Sequence, residues 1–348
     1  MAGAVLLLVG LSPVPAAATF PGGNGRIAFY RLDNRGVAQL WTANPDLTAA
    51  YQLTSGSADS GWPVWSPSAA RIAFDSDRTD PDLSDSDVIN DVFTMRADGT
   101  DVRKVTDSVG FSGDAAYSPD GSLIAFDANR GVTSGSPGWP SANADLSIYV
   151  INPDGTGMRR VTTAPLGSSD TEPRFSPDDR KLVFTRFQGG HFIETGRQGG
   201  RVVGDTSAIF TVNLDGTGVH RITGWGVKTG QADWSPDGSR IVFEQACCRL
   251  GTSGIFTVPA SGGAVTIVVN GRGVTGAGNS TSFRLDGYYD PVWSPDGTKI
   301  LSGHEVVDDT GTYKSGLVVL NVDGSDLHWV SANVQGEHQP DWGTAPLQ

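Results

Sequence analysis

The chain has 348 residues, 25 Lys plus Arg against 38 Asp plus Glu, and a formal net charge of -13. That balance excludes the basic surface a nucleic-acid binder needs to neutralise phosphate, and it excludes an electrostatic anchor on anionic lipid. With 46 Gly, 20 Pro and 38% hydrophobic residues, the chain is rich in turns yet apolar enough to bury a substantial core.

Residues 1–18 read as a secretory signal. Ala4–Leu11 is an apolar stretch too short to span a bilayer, and Ala16-Ala17-Ala18 offers small residues for cleavage. The departure from the usual pattern is the front end, which has no Lys or Arg before Arg26. No later run is apolar and long enough to span as a helix, so a secreted or periplasmic protein is expected, with residues 19–348 forming one domain.

The first predicted strand is Arg26-Ile27-Ala28-Phe29, and its pattern recurs along the chain. Trp65-Ser66-Pro67, Tyr117-Ser118-Pro119, Phe175-Ser176-Pro177, Trp234-Ser235-Pro236 and Trp293-Ser294-Pro295 each open a ten-residue pattern of strand end, turn and strand. In Trp234–Phe243 the turn is Pro236-Asp237-Gly238. Pro has its φ already set, Asp bonds back to the local backbone, and Gly takes the positive φ that closes the turn. Nine residues after each aromatic comes Phe74, Phe126, Phe184 or Phe243, with Ser302 the one departure.

A partial copy ends the chain at Gln339-Pro340-Asp341-Trp342, so the motif aromatics are spaced by 52, 58, 59, 59 and 49 residues. Each period holds four short strand signals. The third and fourth are joined by a second fixed turn, as in Asp98-Gly99-Thr100, Asp154-Gly155-Thr156, Asp215-Gly216-Thr217 and Asp323-Gly324-Ser325. Periods of this size with four strands indicate propeller blades. The N-terminal repeat lacks a first strand, and Gln339–Trp342 is a first strand with nothing after it. Pairing them completes one blade from both ends. The expected fold is therefore all-β: a six-bladed β-propeller of four-stranded antiparallel blades, closed by its N- and C-terminal strands.

These repeats resemble the propeller of the TolB family, which shares the aromatic-Ser-Pro-Asp-Gly turn and the Ile-Ala-Phe strand. The resemblance covers residues 25–343. It implies neither the α/β domain that precedes the propeller in TolB nor the hydrolase domain at the C-terminal side of prolyl-oligopeptidase-like proteins. Related propellers act as protein-binding scaffolds, as gates on hydrolases and as the bodies of polysaccharide lyases, so the resemblance leaves the activity open.

Strand direction sorts the loops onto two faces. The Ser-Pro-Asp-Gly and Asp-Gly-Thr turns share one. The long insertions share the other: Asp75–Asp91, Asp127–Asp145, Thr185–Ser207, Glu244–Gly254, Gly303–Ser315 and the inter-blade run Asn270–Tyr289. Long loops on a rigid scaffold are where function concentrates. Three residues before each motif aromatic stand Trp62, Asp114, Glu172, Gln231, Asp290 and Gln339. If each first strand is innermost, these six surround the channel mouth, either capping backbone groups or forming a polar pocket for a small ligand, a peptide end or a cation.

Asp75, Asp77, Asp80, Asp82, Asp85 and Asp87 crowd one insertion, either as a solvated acidic loop or as a Ca2+ site. The spacing is not that of an EF-hand. His191, His304 and His338 fall on the loop face, and His304-Glu305 with Asp308 and Asp309 is the nearest approach to an acid–base group. The two cysteines, Cys247 and Cys248, are adjacent and cannot staple a scaffold. There is no G-x-S-x-G elbow, P-loop, dinucleotide fingerprint or H-E-x-x-H run.

The expectation is an exported scaffold that binds a protein, small-molecule or glycan ligand of the cell envelope at the channel mouth. The alternative is a carbohydrate-active or other hydrolytic or lytic enzyme using carboxylates and histidines on the same face.

Overall fold

The computed structural model describes residues 21–80, 90–107, 110–129, 146–188, 191–194, 200–203, 206–225, 228–247, 252–271, 286–307, 312–331 and 336–345. The proposed signal, the two loop aspartates Asp308 and Asp309, Cys248, and Asp82, Asp85 and Asp87 lie outside them. No described helix is long and apolar enough to cross a membrane.

Six four-stranded antiparallel blades follow the repeat. Blade two is Ser60–Trp65, Arg71–Ser76, Asp91–Arg96 and Arg103–Lys104. Blade three is Ser112–Tyr117, Ile124–Ala128, Ser147–Ile151 and Arg159–Arg160. Blade four is Ser168–Phe175, Lys181–Gln188, Thr206–Asn213 and His220–Arg221. Blade five is Lys228–Trp234, Arg240–Cys247, Thr252–Pro259 and Thr266–Asn270. Blade six is Asp286–Trp293, Lys299–Val307, Tyr313–Asn321 and His328–Trp329. The first strands touch one another in a closed cycle, so they line the axis and the short fourth strands form the rim.

Blade one is completed from both ends of the chain, as its sequence requires. His338–Thr344 is its first strand and pairs antiparallel with Asn24–Leu32, with Ile27 opposite Trp342 and Ala28 opposite Asp341. Ala38–Ala43 and Tyr51–Gln52 complete it. Closure removes the open edge that would otherwise run between the first and last blades.

The motif aromatics are the cement between blades. Trp65 packs with Ala28, Tyr30 and Leu40 of blade one and with Ile72, Phe74 and Phe93 of its own blade. Trp234 does the same between blades four and five, against Val183, Ile209, Phe243 and Phe256. All six aromatics are buried. The turns have the expected chemistry. In the Trp234 repeat, Ser239 N donates to Asp237 Oδ1 at 2.9 Å, and Gly238 sits at φ +68°. Two repeats carry Ala69 and Asp179 at that position, at φ 53° and 57°, where a Cβ is strained.

The insertions are shorter than the sequence suggested, because strands continue into them. The second and third strands of blade six run to Val307 and from Tyr313, which places His304 inside a strand and not in a loop. In blade four the insertion carries an extra hairpin, His191–Glu194 with Gly200–Val203.

Candidate functional site

Every first strand slips register by a bulge at the same place, between Gly61 and Val64, Gly113 and Ala116, Thr171 and Arg174, Gly230 and Asp233, and Tyr289 and Val292, and likewise at His338–Asp341. The bulged residues are Trp62, Asp114, Glu172, Gln231, Asp290 and Gln339, all in left-handed conformation at φ 45–58°. A bulge re-aims a side chain that a regular pleat would send elsewhere. For a residue as large as Trp62 this backbone is a true outlier. The six positions expected from the repeat therefore share one geometry at the axial end of the first strands, where the blades meet.

Neighbouring blades hold these bulges in place. Asp114 N donates to Asp75 Oδ2 of blade two at 2.7 Å, and Asp290 N to Glu244 Oε2 of blade five at 3.0 Å. Gln231 N donates to Glu172 Oε2 at 2.7 Å, and Trp62 N to Gln339 Oε1 at 3.1 Å. Two of the six ring side chains, Glu172 and Gln339, thus cap backbone groups of the next blade. Among the described residues, the side chains of Asp114, Gln231 and Asp290 accept no backbone N–H. The indole Nε1 of Trp62 is buried without a partner.

Three further layers escaped the sequence reading. One position before each motif aromatic stand Val64, Ala116, Arg174, Asp233, Val292 and Asp341. Asp233 Oδ2 accepts Trp293 N at 3.0 Å and Asp341 Oδ2 accepts Trp65 N at 2.7 Å, so both tie one blade to the next. Arg174 joins Trp62, Gln231, Asp233, Asp290 and Gln339 around one cavity in the channel. The second layer comes just after the buried Phe of the second strands in blades one, two, three and five, and consists of Tyr30, Asp75, Asp127 and Glu244. The third lies four positions before the aromatic, where Gly61, Gly113, Thr171 and Gly230 give way to Tyr289 and His338. The repeats carry this signal in the columns beside the ring positions.

Burial without enough donors sets the electrostatics. Asp114 is pushed up to about 7 by burial, then by the charge of Glu172. Asp127, against Asp114, is raised well above the carboxylate range by burial and by Asp114 and Asp75. Asp75 is raised by burial and by Asp114, and Asp290 by burial and by Glu244, Glu172 and Asp114. Arg174 acts on Asp75, Asp114, Asp290 and Asp341 in the opposite sense. Asp114 can give up or take a proton near neutrality.

The mouth is lopsided. On the side of blades six and one, His338 is stacked between Tyr30 (5.1 Å) and Tyr289 (6.0 Å), and Tyr289 Oη lies 3.4 Å from His338 Nδ1. Gly303 makes this possible, since a Cβ there would collide with the Tyr289 ring. Burial lowers the pKa of His338 and raises those of Tyr30 and Tyr289.

The remaining candidates do not join this group. His304 is buried between Tyr288 (4.1 Å) and Trp329 (4.7 Å), with Nε2 3.0 Å from Asp286 Oδ1. Of the acidic insertion, Asp75 belongs to the channel, while Asp77 is pushed up to about 7 by burial and by Asp59, and Asp80 N closes a turn on Asp77 O. Among the described residues no group of three or more His, Cys, Asp or Glu side chains is placed to hold a metal ion. His191 is placed only by its backbone, in the extra hairpin.

No family model matches the chain. An uncharacterised protein of Agrobacterium fabrum is 23% identical over 202 residues, 57% of this chain and 59% of the relative. A protein TolB homolog of Chlorobium luteolum is 29% identical over 139 residues, 31% of each. The chain thus spans less than two thirds of these relatives' length. Among solved structures, TolB from Acinetobacter baumannii superposes with a TM-score of 0.63 at 18% identity, over 92% of this chain and 67% of that one. An oligogalacturonate lyase in complex with manganese gives 0.51 at 14% identity, over 91% and 90%. At these identities the likeness is one of fold, and it agrees with the repeat, the blade count and the end-to-end closure: this chain has a six-bladed β-propeller fold like that of the TolB structures.

Proposed function

We propose that the protein is an exported binding scaffold of the cell envelope whose channel mouth, on the face opposite the Ser-Pro-Asp-Gly turns, takes a protein or small ligand. The observation that carries this reading is the ring of six bulged residues. Six blades could close with small residues at those positions, yet three are carboxylates, and burial and neighbouring carboxylates raise the pKa values of Asp114 and Asp290. A ligand that brings donors or positive charge relieves that cost on binding.

Turnover would require an acid and a base converging on one substrate position. His304, the acid–base candidate of the sequence, is enclosed by Tyr288 and Trp329, with its Nδ1 buried. The likeness to a lyase structure is one of fold. Binding is therefore the reading the geometry favours.

The test is affinity capture from envelope extracts, alongside a ligand screen, with the native chain and with the triple variant Asp114→Asn, Glu172→Gln, Asp290→Asn. The variant is expected to fold and to lose the cognate interaction. A partner retained equally by both would place binding elsewhere, and turnover that persists in the variant would overturn the scaffold reading.

A further inference from the structure

The channel cavity holds a charge arrangement that narrows what can enter it. Just below the bulged ring, Arg174 is the one cation lining the cavity among the described residues. Among those residues its guanidinium makes a single hydrogen bond, from Nη1 to the carbonyl of Pro173 at 3.1 Å, and no ion pair. An arginine has five N–H donors in a rigid fork, a shape that fits a carboxylate through two parallel bonds. Such a fork among so many carboxylates would be expected to seize one.

The reason it does not is visible in the hydrogen bonds. Four of the acids near it are tethered to backbones of neighbouring blades, Asp75 to Asp114 N, Glu172 to Gln231 N, Asp233 to Trp293 N and Asp341 to Trp65 N, while Asp114 and Asp290 feel its charge without an ion pair to it. Each tether holds its carboxylate at the wall. Arg174 lines the cavity with no ion pair among the described residues.

Charge then selects the visitor. A simple anion would meet Arg174 but would add to the repulsion that already raises the pKa values of Asp114 and Asp290. A simple cation that passes them meets Arg174. A molecule with a carboxylate leading and an ammonium trailing satisfies both, the first on Arg174 and the second on Asp290, which lines the same cavity and accepts no backbone N–H. Gln231, also in the lining, has an amide to donate or accept. Most of the roughly 350 Å³ here is open solvent at the mouth, so the enclosed part admits only the leading group of a small molecule.

We propose that this cavity binds a small zwitterion of the size of a free α-amino acid, its carboxylate on the fork of Arg174 and its ammonium at Asp290. The proposal deepens the reading of the mouth as a binding site and rests on it.

Calorimetry on the full chain tests it, with glycine and L-alanine each measured against the N-acetyl form, which lacks the ammonium, and the amide form, which lacks the carboxylate. At matched ionic strength the zwitterions are expected to bind at least tenfold tighter than either blocked form. Arg174→Gln should lose at least tenfold, and Arg174→Lys, which keeps the charge without the fork, should fall between. Absence of zwitterion binding, equal binding of a blocked form, or unchanged binding by Arg174→Gln would overturn the proposal. The ligand comparison on the native chain needs no variant to fold. Carboxylate-dependent capture of a partner, with no preference for zwitterions, would refute this inference and leave the binding mouth standing; loss of both would refute both.

Discussion

Aspartates at the two ends of the propeller live opposite lives. At the turn end, Asp98, Asp154, Asp215 and Asp323 are exposed. Each accepts a hydroxyl at 2.6 Å and a backbone N–H at 2.9 Å from the Thr or Ser two residues on. The side-chain bond, then the backbone one, holds their pKa below the ordinary value. At the mouth, Asp75 and Asp127 are buried, Asp114 and Asp290 are half-buried, like charges crowd them, and their pKa values are raised. The lesson is that one residue type serves two purposes. Where the backbone offers donors, Asp shapes a turn; where burial removes water and like charges crowd, it stores a demand for a proton or a ligand.

The comparison presupposes a closed ring, and breaking the ring has the largest expected effect. Removing residues 336–348 takes away the first strand of blade one and one sixth of the mouth. The truncated chain should unfold or aggregate through the bared edge of Asn24–Leu32. A thermal melt that matches the full chain would refute the closure. Next comes the wall between the two ends. Trp234→Ala leaves a cavity between blades four and five and should cost about 3–5 kcal/mol in denaturant unfolding. An unchanged midpoint would mean that the aromatic is not cement.

The third effect belongs to the comparison itself. Asp77 and Asp114 have folded pKa values of about 7, above an unfolded value near 3.9. Between those values the folded state holds more protons, so stability falls as pH rises through the window. Buried His304 and His338, whose pKa values are lowered, act in the other direction below about 6.5. From pH 6.5 to 8 the carboxyls are therefore unopposed, and each should lower stability by about 1 kcal/mol. The Asp114→Asn, Glu172→Gln, Asp290→Asn variant should flatten that slope. The turn aspartates, with lowered values, contribute stability above their unfolded pKa that is lost only as pH falls below about 4. Melting curves across pH 3–8 check both arms. The smallest effect is at the turns. Ala69→Gly relieves a positive φ and should stabilise by about 0.5–1 kcal/mol, with no change at the mouth.

Much of this molecule was legible one repeat at a time. Turn residues and strand periods act over a few positions, so Trp-Ser-Pro-Asp-Gly announced its hairpin, and repeating it announced the blades. The ring of six could be read because equivalent positions in a propeller point to equivalent places. The orphaned strand at each end needed the other, which determined the closure. What the residues beside that ring do was decided by tertiary structure. That Glu172 and Asp233, close to Arg174, are tethered to backbone N–H groups about 60 residues away in sequence is a property of neighbouring blades. That His304 is sealed in a stack, while His338 stands at the mouth between Tyr30 and Tyr289, depends on which strands lie side by side. Local sequence sets the backbone's turns and strands because those interactions span few residues. Charge states and cavities come from groups that only the closed ring brings together, and burial gives those groups their strength.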